Sequence, residues 1–486
     1  MFRFANINNK LKVIFIMKLR RLLRSPFTKL YDEAGLTHAL RRGLMFVILG
    51  NLSGSLFFNI TQGSALVGLA AELGANDFVF GLLMAIPLFG AIIQIPAAMI
   101  VSRAGKRKKY MLTYGIVSRT MWIVIGIVPF FAPLSEGWMK LWAVIFLVGI
   151  ASVSGSFINI CFTPWLADLV PLRIRGRWIA SRDRIASVLG VCVGILTALV
   201  LDHVPGFTGY AIVFIVGGTF GVLDMLAFIG VRETQMIQSA AKSISAIFKQ
   251  IYRDKKFFRF MVFWTLWMFS INFGGAFTIR YALGPMNLSF LEVTLASQMA
   301  AALTTVVVIS KWGRTIDRYG SKPVLLIACM MHAVSPLIML FAQPNQVITI
   351  LLLHLIGAAF WSASNLACVN MQMSCSPDDG RPAYIAVFSC VTSLMGAFFG
   401  VFLGGAFLEW LPGFMQQANL TISGNTPDQY KIAFTVSVIF RLVTVFLFIP
   451  RLENDKDSSL RELAGDFKDW LMQFSPRRIY KLVRRR

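Results

Sequence analysis

Twelve predominantly apolar runs divide the chain, and they constrain its fold more than any other feature of the sequence. An α-helix needs about 20 apolar residues to cross a bilayer, whereas a barrel strand needs about 10 with strict alternation. The runs have helical length and do not alternate, so they predict an all-α integral membrane protein. The predicted spans 1 to 12 lie near residues 44–68, 78–101, 110–132, 138–163, 181–203, 208–231, 260–283, 291–310, 323–343, 347–373, 384–408 and 432–450.

Composition and charge exclude several other classes of protein. Apolar residue types make up 56% of the 486 residues and charged types only 14%, whereas soluble domains carry about 25% charged residues. The net charge of +24 would suggest a nucleic-acid partner in a soluble protein, but here Lys and Arg cluster in the links between the apolar runs. That distribution is typical of membrane proteins, so no nucleic acid is expected. The six cysteines lack metal-binding spacing and are interpreted as packing residues, so no metal site is predicted.

The basic clusters predict the orientation of the spans. They occupy residues 103–109, 173–177 and 314–322, which are the links after spans 2, 4 and 8. Because Lys and Arg favour the cytoplasmic side, these links, both termini and the middle linker are predicted to be cytoplasmic. We therefore expect a multi-pass protein of the plasma (inner) membrane, with no cleavable signal peptide in residues 1–42.

The links also divide the chain into five segments. The longest interruption, residues 232–259, carries apolar residues on one helical face, which predicts an amphipathic helix on the cytoplasmic leaflet; a solvated tether is the alternative. The basic ends are expected to attract anionic lipids. The predicted organisation is a basic cytoplasmic N-terminal segment 1–43, an N-terminal six-helix bundle 44–231, the linker 232–259, a C-terminal six-helix bundle 260–450 and a basic cytoplasmic tail 451–486.

An internal repeat supports this division into two bundles. Spans 4 and 5 align with spans 10 and 11 at a constant separation of 206 residues, which pairs Asn159 with Asn365 and Arg175 with Arg381. Spans 2 and 3 align with spans 8 and 9 at a separation of 215 residues. Parallel repeats of six spans are one of the internal symmetries of secondary transporters.

A motif after span 8 carries a family resemblance. Residues 313–322 read Gly-Arg-Thr-Ile-Asp-Arg-Tyr-Gly-Ser-Lys, which resembles the G-x-x-x-D-R-x-G-[RK]-[RK] signature of the major facilitator superfamily. The matching place after span 2 departs from the signature, because Ala98 and Ser102 replace its Gly and Asp. The resemblance implies the major facilitator fold, with about 12 transmembrane helices in two pseudo-symmetric six-helix bundles.

The motif also implies a gate on the cytoplasmic side. In the superfamily it is associated with latching that side when the transporter faces outward, so Asp317 is expected to face the basic start of span 5. Gly313 is expected to allow a close helix approach, and Gly320 a turn with left-handed backbone. The alternative is that these residues only set topology. The predicted gating residues are Gly313, Asp317, Arg318, Gly320, Lys322, Arg103, Gly105, Arg175 and Arg381.

Polar side chains at helical spacing mark the predicted solute path. Spans 1, 4, 7 and 10 surround the central cavity in the superfamily, and spans 1, 4 and 10 show a polar face here. Amide and hydroxyl groups together with aromatic rings suit a neutral or zwitterionic solute, although interhelical hydrogen bonding is the alternative. The predicted cavity residues are Asn51, Ser55, Asn59, Gln62, Ser156, Asn159, Trp264, Trp267, Asn272, Trp361 and Asn365.

Four ionisable groups lie deep within predicted spans. Arg119 in span 3 and Asp224 in span 6 lie at similar depth, and an unpaired charge there is costly, so they are predicted to form an ion pair. His332 and Arg441 lie at similar depth in spans 9 and 12 without a matching carboxylate. A structural role is one interpretation of these charges, and proton coupling through Asp224 is the other.

These patterns together predict a secondary active transporter that moves a small polar or zwitterionic solute by alternating access, with proton coupling left open. A multidrug/proton efflux antiporter and a non-transporting receptor or sensor on the same fold are the alternatives. The sequence has neither a nucleotide-binding loop nor a hydrolase motif, so neither an enzyme nor a cofactor is predicted. The expected partners are the solute, H⁺ if transport is coupled, and anionic lipids, with the protein as a monomer.

Overall fold

The computed structural model describes residues 27–28, 30–131, 136–233, 244–377, 381–419 and 428–453, without the side chains of residues 244–247 and 382. Within these ranges the chain is helical and contains no β-strand. Among the described residues, twelve helices are long and apolar enough to cross a membrane, which confirms the predicted number and order of spans. Their bounds are His38–Glu72, Asp77–Ala104, Arg107–Phe130, Gly137–Leu169, Leu172–His203, Phe207–Gly230, Lys255–Leu283, Phe290–Tyr319, Ser321–Phe341, Val347–Cys375, Ala383–Gln417 and Gln429–Arg451.

Most helices extend beyond the apolar runs that predicted them. Span 5 begins at Leu172 rather than near residue 181, because an apolar run measures the hydrocarbon thickness and not the length of the helix. The intervening residues include three arginines, which the sequence pattern assigned to a link. The length and apolar character of the twelve helices identify an integral multi-pass membrane protein.

Several spans are interrupted. Span 1 breaks between Thr61 and Ser64, where Gly63 adopts a positive φ of 74°. Span 7 breaks after Gly275, and span 9 changes to a 3₁₀ helix at Ser335. Spans 8 and 11 each contain a π-helical turn, at Leu295–Met299 and Thr392–Phe398. Broken helices at membrane depth are typical of transporters, where freed backbone groups line a cavity or contact neighbours.

The chain forms two compact units. Unit 1 comprises Met1–Leu73 and Ile92–Ala240. Within it span 1 packs on spans 5 and 6, and span 3 packs on spans 4 and 6. The core includes Trp165 and Trp178, which are fully buried.

Part of the predicted N-terminal segment belongs to this core. Phe27 and Tyr31 are buried, and the indole N–H of Trp178 donates to the Tyr31 hydroxyl at 3.1 Å. Burial raises the pKa of the Tyr31 phenol. Residues 1–26 lie outside the described residues.

Unit 2 comprises Gly74–Ala91 and Ala241–Arg486, so the single helix of span 2 contributes to both units. Span 7 packs on spans 11 and 12, and span 9 packs on spans 10 and 12. In the middle linker the structure describes a helix at Ile244–Arg253, in which Ile251 is buried in the core of unit 2. The membrane contact predicted for the linker stays a prediction, and residues 234–243 lie outside the described residues.

The same helix pairings recur in the two units, as the internal repeat predicts. A Cβ on Gly190 of span 5 would lie 2.7 Å from the Asn59 amide of span 1. A Cβ on Gly396 of span 11, which lies 206 residues further on, would lie 2.7 Å from the Thr265 carbonyl of span 7. Glycine therefore permits the same close approach in both units.

Candidate functional site

Span 1 presents the predicted polar face in unit 1. Asn51, Ser55, Asn59 and Gln62 are all half-buried. The Ser55 hydroxyl donates to the Ala186 carbonyl of span 5 at 3.2 Å, and the Asn59 amide donates to the Ser55 carbonyl at 2.8 Å. The buried side-chain oxygen of Asn51 has no hydrogen-bond partner among the described residues. Two of these residues thus bond helix backbone, while Asn51 retains an unused acceptor.

The span 4 residues differ from one another in exposure. Ser156 is buried, and its hydroxyl donates to the Ser152 carbonyl one turn earlier at 3.0 Å. Such a bond satisfies the hydroxyl within its own helix. Asn159 is exposed in the structure, so its amide is accessible.

In unit 2 the predicted aromatic residues form one cluster around His332. Trp264 and Trp361 lie with ring centroids 6.3 Å apart, and the ring of His332 lies 5.8 Å from those of Trp361 and Trp267. Trp267 is fully buried, and its indole N–H has no partner among the described residues. Trp267 therefore packs inside unit 2.

The other two predicted residues of unit 2 lie in different settings. The half-buried Asn272 donates to the Met268 carbonyl of its own helix at 2.8 Å. Asn365 is exposed. The role of these residues in binding a solute stays a prediction.

Beside the aromatic cluster lies a cavity of about 320 Å³, here called the unit 2 cavity. This volume is at the lower end of the range for small-molecule sites. The sequence did not predict the cavity, because it arises from the meeting of five spans. Its walls include Ile271, Gly275, Thr278, Ala301, His332, Ser335, Pro336, Met339, His354, Trp361, Phe434 and Arg441.

The predicted Arg119–Asp224 ion pair is present in unit 1. The Arg119 Nη2 atom lies 3.3 Å from Asp224 Oδ2, and Asp224 is buried. The Arg119 guanidinium also lies 3.9 Å from the centroid of the Phe57 ring. A Cβ on Gly54 would lie 2.8 Å from the Asp224 carboxylate. The pair thus occupies a closely packed site between spans 1, 3 and 6.

His332 and Arg441 of unit 2 lie together without a carboxylate. Arg441 is only 3% exposed and donates to the carbonyls of His332 and Ile271 at 3.1 and 3.3 Å. No carboxylate lies within ion-pairing distance of Arg441 among the described residues. Arg441 Nε and His332 Nδ1 are buried without a partner in the same part of the chain.

The turns of the predicted gating motif have the expected backbone. Gly105 and Gly320 adopt positive φ angles of 64° and 86°. At the adjoining helix starts, Lys108 Nζ donates to the Ile229 and Val231 carbonyls, and Lys322 Nζ donates to the Pro450 and Leu452 carbonyls. Each lysine therefore caps the last turn of the sixth span of its own unit, a role that the sequence did not reveal.

Other gating residues meet partners that the motif did not predict. Arg175 donates to the Val170 and Ala167 carbonyls at the end of span 4. Arg107, which the sequence treated only as a basic cluster residue, forms a 2.6 Å ion pair with Asp168.

One expectation for the motif is wrong. A Cβ on Gly313 would make only an ordinary 4.0 Å contact with Leu366, so no close helix approach requires glycine there among the described residues.

The remaining gating residues lie at helix ends. Arg103, Asp317 and Arg318 are exposed in the last turns of spans 2 and 8, and Arg381 is half-buried at the first position of its helix. Residues 378–380, which directly precede Arg381, lie outside the described residues. The latch itself therefore stays a prediction.

Sequence reasoning missed a network of polar contacts around Asp77 in unit 2. The Asp77 carboxylate accepts from Arg280 Nε, the Tyr430 hydroxyl and the Gln429 amide, each at 2.7 Å. Arg280 Nη2 also donates to the Ala75 carbonyl at 2.6 Å. Asp77, Arg280, Gln429 and Tyr430 are called the Asp77 cluster below.

The Asp77 cluster corrects one sequence interpretation. Arg280 lies near the end of span 7, where a long basic side chain can extend to the interface, but here its side chain is only 15% exposed and is ion-paired with Asp77. The repeat aligned Asp77 with Glu292, yet Glu292 forms a local capping box with Ser289. The signal that could have found the pair is the single arginine within the predicted range 260–283 of span 7, together with an acidic residue at a span start.

The model of the Major Facilitator Superfamily matches residues 286–484. Among curated protein sequences, none matches this chain. A solved structure of a mutant of the nucleoside transporter NupG is 14% identical and covers 85% of this chain and 100% of its own, with a TM-score of 0.63. An auto-inhibited POT family peptide transporter is 10% identical and covers 86% of this chain and 99% of its own, with a TM-score of 0.66. The xylose transporter XylE from E. coli, in an inward-open conformation, is 16% identical and covers 87% of this chain and 98% of its own, with a TM-score of 0.58.

Twelve spans with repeated packing in two units define a membrane protein with the fold of these transporters. The matched residues include the 313–322 motif that carried the resemblance. The family model thus matches the C-terminal part of the chain, and the likeness of the whole chain to these solved structures confirms the predicted fold class.

Proposed function

We propose that this protein is a secondary active transporter that moves a small polar or zwitterionic solute across the membrane by alternating access. The observation that carries the proposal is Asn51, whose buried side-chain oxygen lacks a partner among the described residues of a membrane-spanning protein. Buried polar groups are normally hydrogen-bonded, because an unmet one costs about 1 to 3 kcal/mol. A donor on the solute would satisfy this oxygen.

The surroundings of Asn51 support a solute rich in hydrogen-bonding groups. Span 1 continues from Asn51 through half-buried Ser55, Asn59 and Gln62, which lie along one helical face. Amide and hydroxyl groups are neutral, so they favour hydrogen bonding over charge pairing.

Reconstitution tests the proposal. Purified full-length protein is first screened by thermal shift against nucleosides, pentoses and short peptides, because a ligand that binds the folded state raises its apparent stability. Transporters that share the fold are named for solutes of these three kinds. Each solute that stabilises the protein is then measured by counterflow in proteoliposomes. Stabilisation without counterflow would identify a non-transporting receptor and would contradict transport.

A substitution links the activity to the site. Asn51→Ala is expected to weaken the apparent affinity for the solute by about tenfold, because one hydrogen bond to the solute is lost. Ser53→Ala, at a half-buried neighbouring position of the same span, is the matched control and should leave the affinity unchanged. Equal affinities for the parent and Asn51→Ala would remove Asn51 from the site.

Proton coupling through Asp224 is a separate part of the proposal. Its support is a buried carboxylate in a membrane span, although the ion pair with Arg119 also gives it a structural role. Uptake by Asp224→Asn is measured with and without an inward pH gradient. Coupling through Asp224 predicts that the gradient no longer stimulates uptake, whereas a preserved response would place coupling elsewhere.

We also place both termini and residues 232–259 on the cytoplasmic side of the plasma (inner) membrane, in a monomer whose basic ends contact anionic lipids. The support is the clustering of Lys and Arg at the turns that contain Gly105 and Gly320. Single cysteines at Lys109 and Glu136, both exposed, should react with an impermeant thiol reagent from opposite sides. Labelling of both from one side would reject this topology.

A further inference from the structure

Arg441 is a buried cation of unit 2 that has no counter-charge among the described residues. Two of its nitrogen atoms donate to the His332 and Ile271 carbonyls, while Nε is buried and without a partner among the described residues. Carbonyl oxygens satisfy hydrogen bonds but do not neutralise a full positive charge. A guanidinium without a counter-charge in a membrane span is costly in free energy. A bound anion is the simplest way to neutralise it.

In unit 1 a buried arginine at the corresponding pair of spans has a carboxylate as its counter-charge. Spans 3 and 6 of unit 1 correspond to spans 9 and 12 of unit 2, as their shared pairing and their capping lysines indicate. In unit 1 the guanidinium of Arg119 lies 3.3 Å from the Asp224 carboxylate. In unit 2 the guanidinium is present, but no carboxylate accompanies it among the described residues.

The space around Arg119 in unit 1 is filled, whereas Arg441 in unit 2 lies beside a cavity. In unit 1 the site is filled, because Gly221 brings its helix so close that a Cβ there would lie 2.8 Å from Arg119 Cδ. In unit 2, Arg441 lines a cavity of about 320 Å³. A Cβ on Gly275 would make an ordinary 3.9 Å contact with Arg441 Nη2, so glycine does not bring a helix as close to this guanidinium as Gly221 does to Arg119. Unit 2 therefore has room where unit 1 has a carboxylate.

The described cavity wall contains one further unpartnered nitrogen and no acid. His332 Nδ1 is buried without a partner among the described residues, whereas the Ser335 hydroxyl already donates to the His332 carbonyl at 2.9 Å. The remaining wall is largely apolar, with Pro336 and Met339 among its residues. A low-polarity wall excludes water and strengthens the attraction between Arg441 and an anion.

We propose that the unit 2 cavity is an anion-binding site, in which Arg441 and His332 hold a small, singly charged group such as a carboxylate or chloride. The anion supplies Arg441 with the negative charge that Asp224 supplies to Arg119 in unit 1, although Arg441 lies in span 12, the counterpart of the span that carries Asp224. Binding does not require that the protein transports anything, so this proposal can hold or fail independently of the proposed function.

The test measures stabilisation of purified full-length protein in nanodiscs of neutral lipid. Melting temperatures are recorded by tryptophan fluorescence in rising concentrations of sodium chloride, and separately of sodium acetate. Each salt also acts through ionic strength and through the basic surface of the chain, so the readout is the difference between the parent and its variants. Binding predicts a saturating rise in melting temperature for the parent.

Two variants remove the site in different ways. Arg441→Gln is expected to weaken the apparent affinity by about tenfold or more, because a charge-assisted contact is lost. Ser335→Asp places a carboxylate beside Arg441, since Ser335 Oγ and Arg441 Nη1 both donate to the His332 carbonyl, at 2.9 and 3.1 Å. This internal anion should abolish the saturating rise even if Arg441→Gln fails to fold. Met339→Leu, a volume-conserving change in the same wall, should retain it.

The outcomes separate the source of the anion. A saturating rise with chloride and acetate alike identifies an inorganic-anion site, whereas a rise with acetate alone identifies a site for the carboxylate of a solute. Both results support the proposal if Ser335→Asp removes the rise and Met339→Leu keeps it. Identical salt responses in the parent and Ser335→Asp would overturn it and leave Arg441 as a brace between the Ile271 and His332 carbonyls.

Discussion

The Asp77 cluster predicts a measurable linkage between the start of span 2 and the rest of unit 2. Asp77→Asn preserves the shape of the side chain but removes its charge. The new amide must place its NH₂ group against either Arg280 or Gln429, both of which are donors. Hydrogen bonds to charged groups contribute about 1.5 to 3 kcal/mol each, so we expect a loss of about 2 to 3 kcal/mol.

That loss of free energy should increase the fraction of molecules in which residues 74–91 are locally open. If opening is fast compared with labelling, the rate of thiol modification at a buried cysteine follows the open population. Ala85 is fully buried in this segment, so Ala85→Cys on a Cys192→Ser background reports opening. A loss of 2 to 3 kcal/mol corresponds to labelling that is about 30- to 150-fold faster.

The design includes a coupling test and a matched control. Arg280→Gln should accelerate labelling as Asp77→Asn does, and the double variant should fall short of the sum because both changes remove one contact. Glu72→Gln changes an exposed acid five residues earlier and should have no effect. Labelling of Asp77→Asn within about twofold of the parent would refute the reasoning.

Three further changes test packing, burial of charge and capping. Gly405→Ala places a Cβ about 2.8 Å from the Asp77 carbonyl, which should cost about 1 to 3 kcal/mol and speed labelling at residue 85. Asp224→Asn leaves the Arg119 guanidinium without its partner, which should lower stability by about 3 kcal/mol in chemical denaturation. Lys322→Met removes two bonds to the end of span 12, which should cost about 1 kcal/mol in the same assay.

Each of these changes has its own control. Gly413→Ala, where a Cβ would meet nothing within 4 Å, should stabilise the protein slightly; a loss equal to that of Gly405→Ala would reject the packing argument. Replacing Arg119 by Met together with Asp224→Leu should recover much of the lost stability, and a double variant as unstable as Asp224→Asn would argue against an unpaired charge as the cause. Lys109→Met alters an exposed lysine, so an effect equal to that of Lys322→Met would count against capping.

The apolar runs were sufficient to predict the number, order and approximate position of the spans. Each span needs only about 20 apolar residues in sequence to satisfy the bilayer, so the information is local. The same holds for Gly105 and Gly320, whose turns need a left-handed backbone that glycine adopts freely. The ion pair of Arg119 and Asp224 was also predictable, because two opposite charges at equal depth have few other partners.

Contacts between distant parts of the chain were decided by the tertiary structure alone. The residues near Asp77 in the sequence do not predict its hydrogen bond with Tyr430. The apolar pattern likewise does not predict the π-helical turn of span 11. The unit 2 cavity exists because five spans meet there without filling the space beside Arg441. Insertion of a helix into the bilayer depends on the hydrophobicity of that helix alone. Which faces of the helices contact one another depends on packing among all of them.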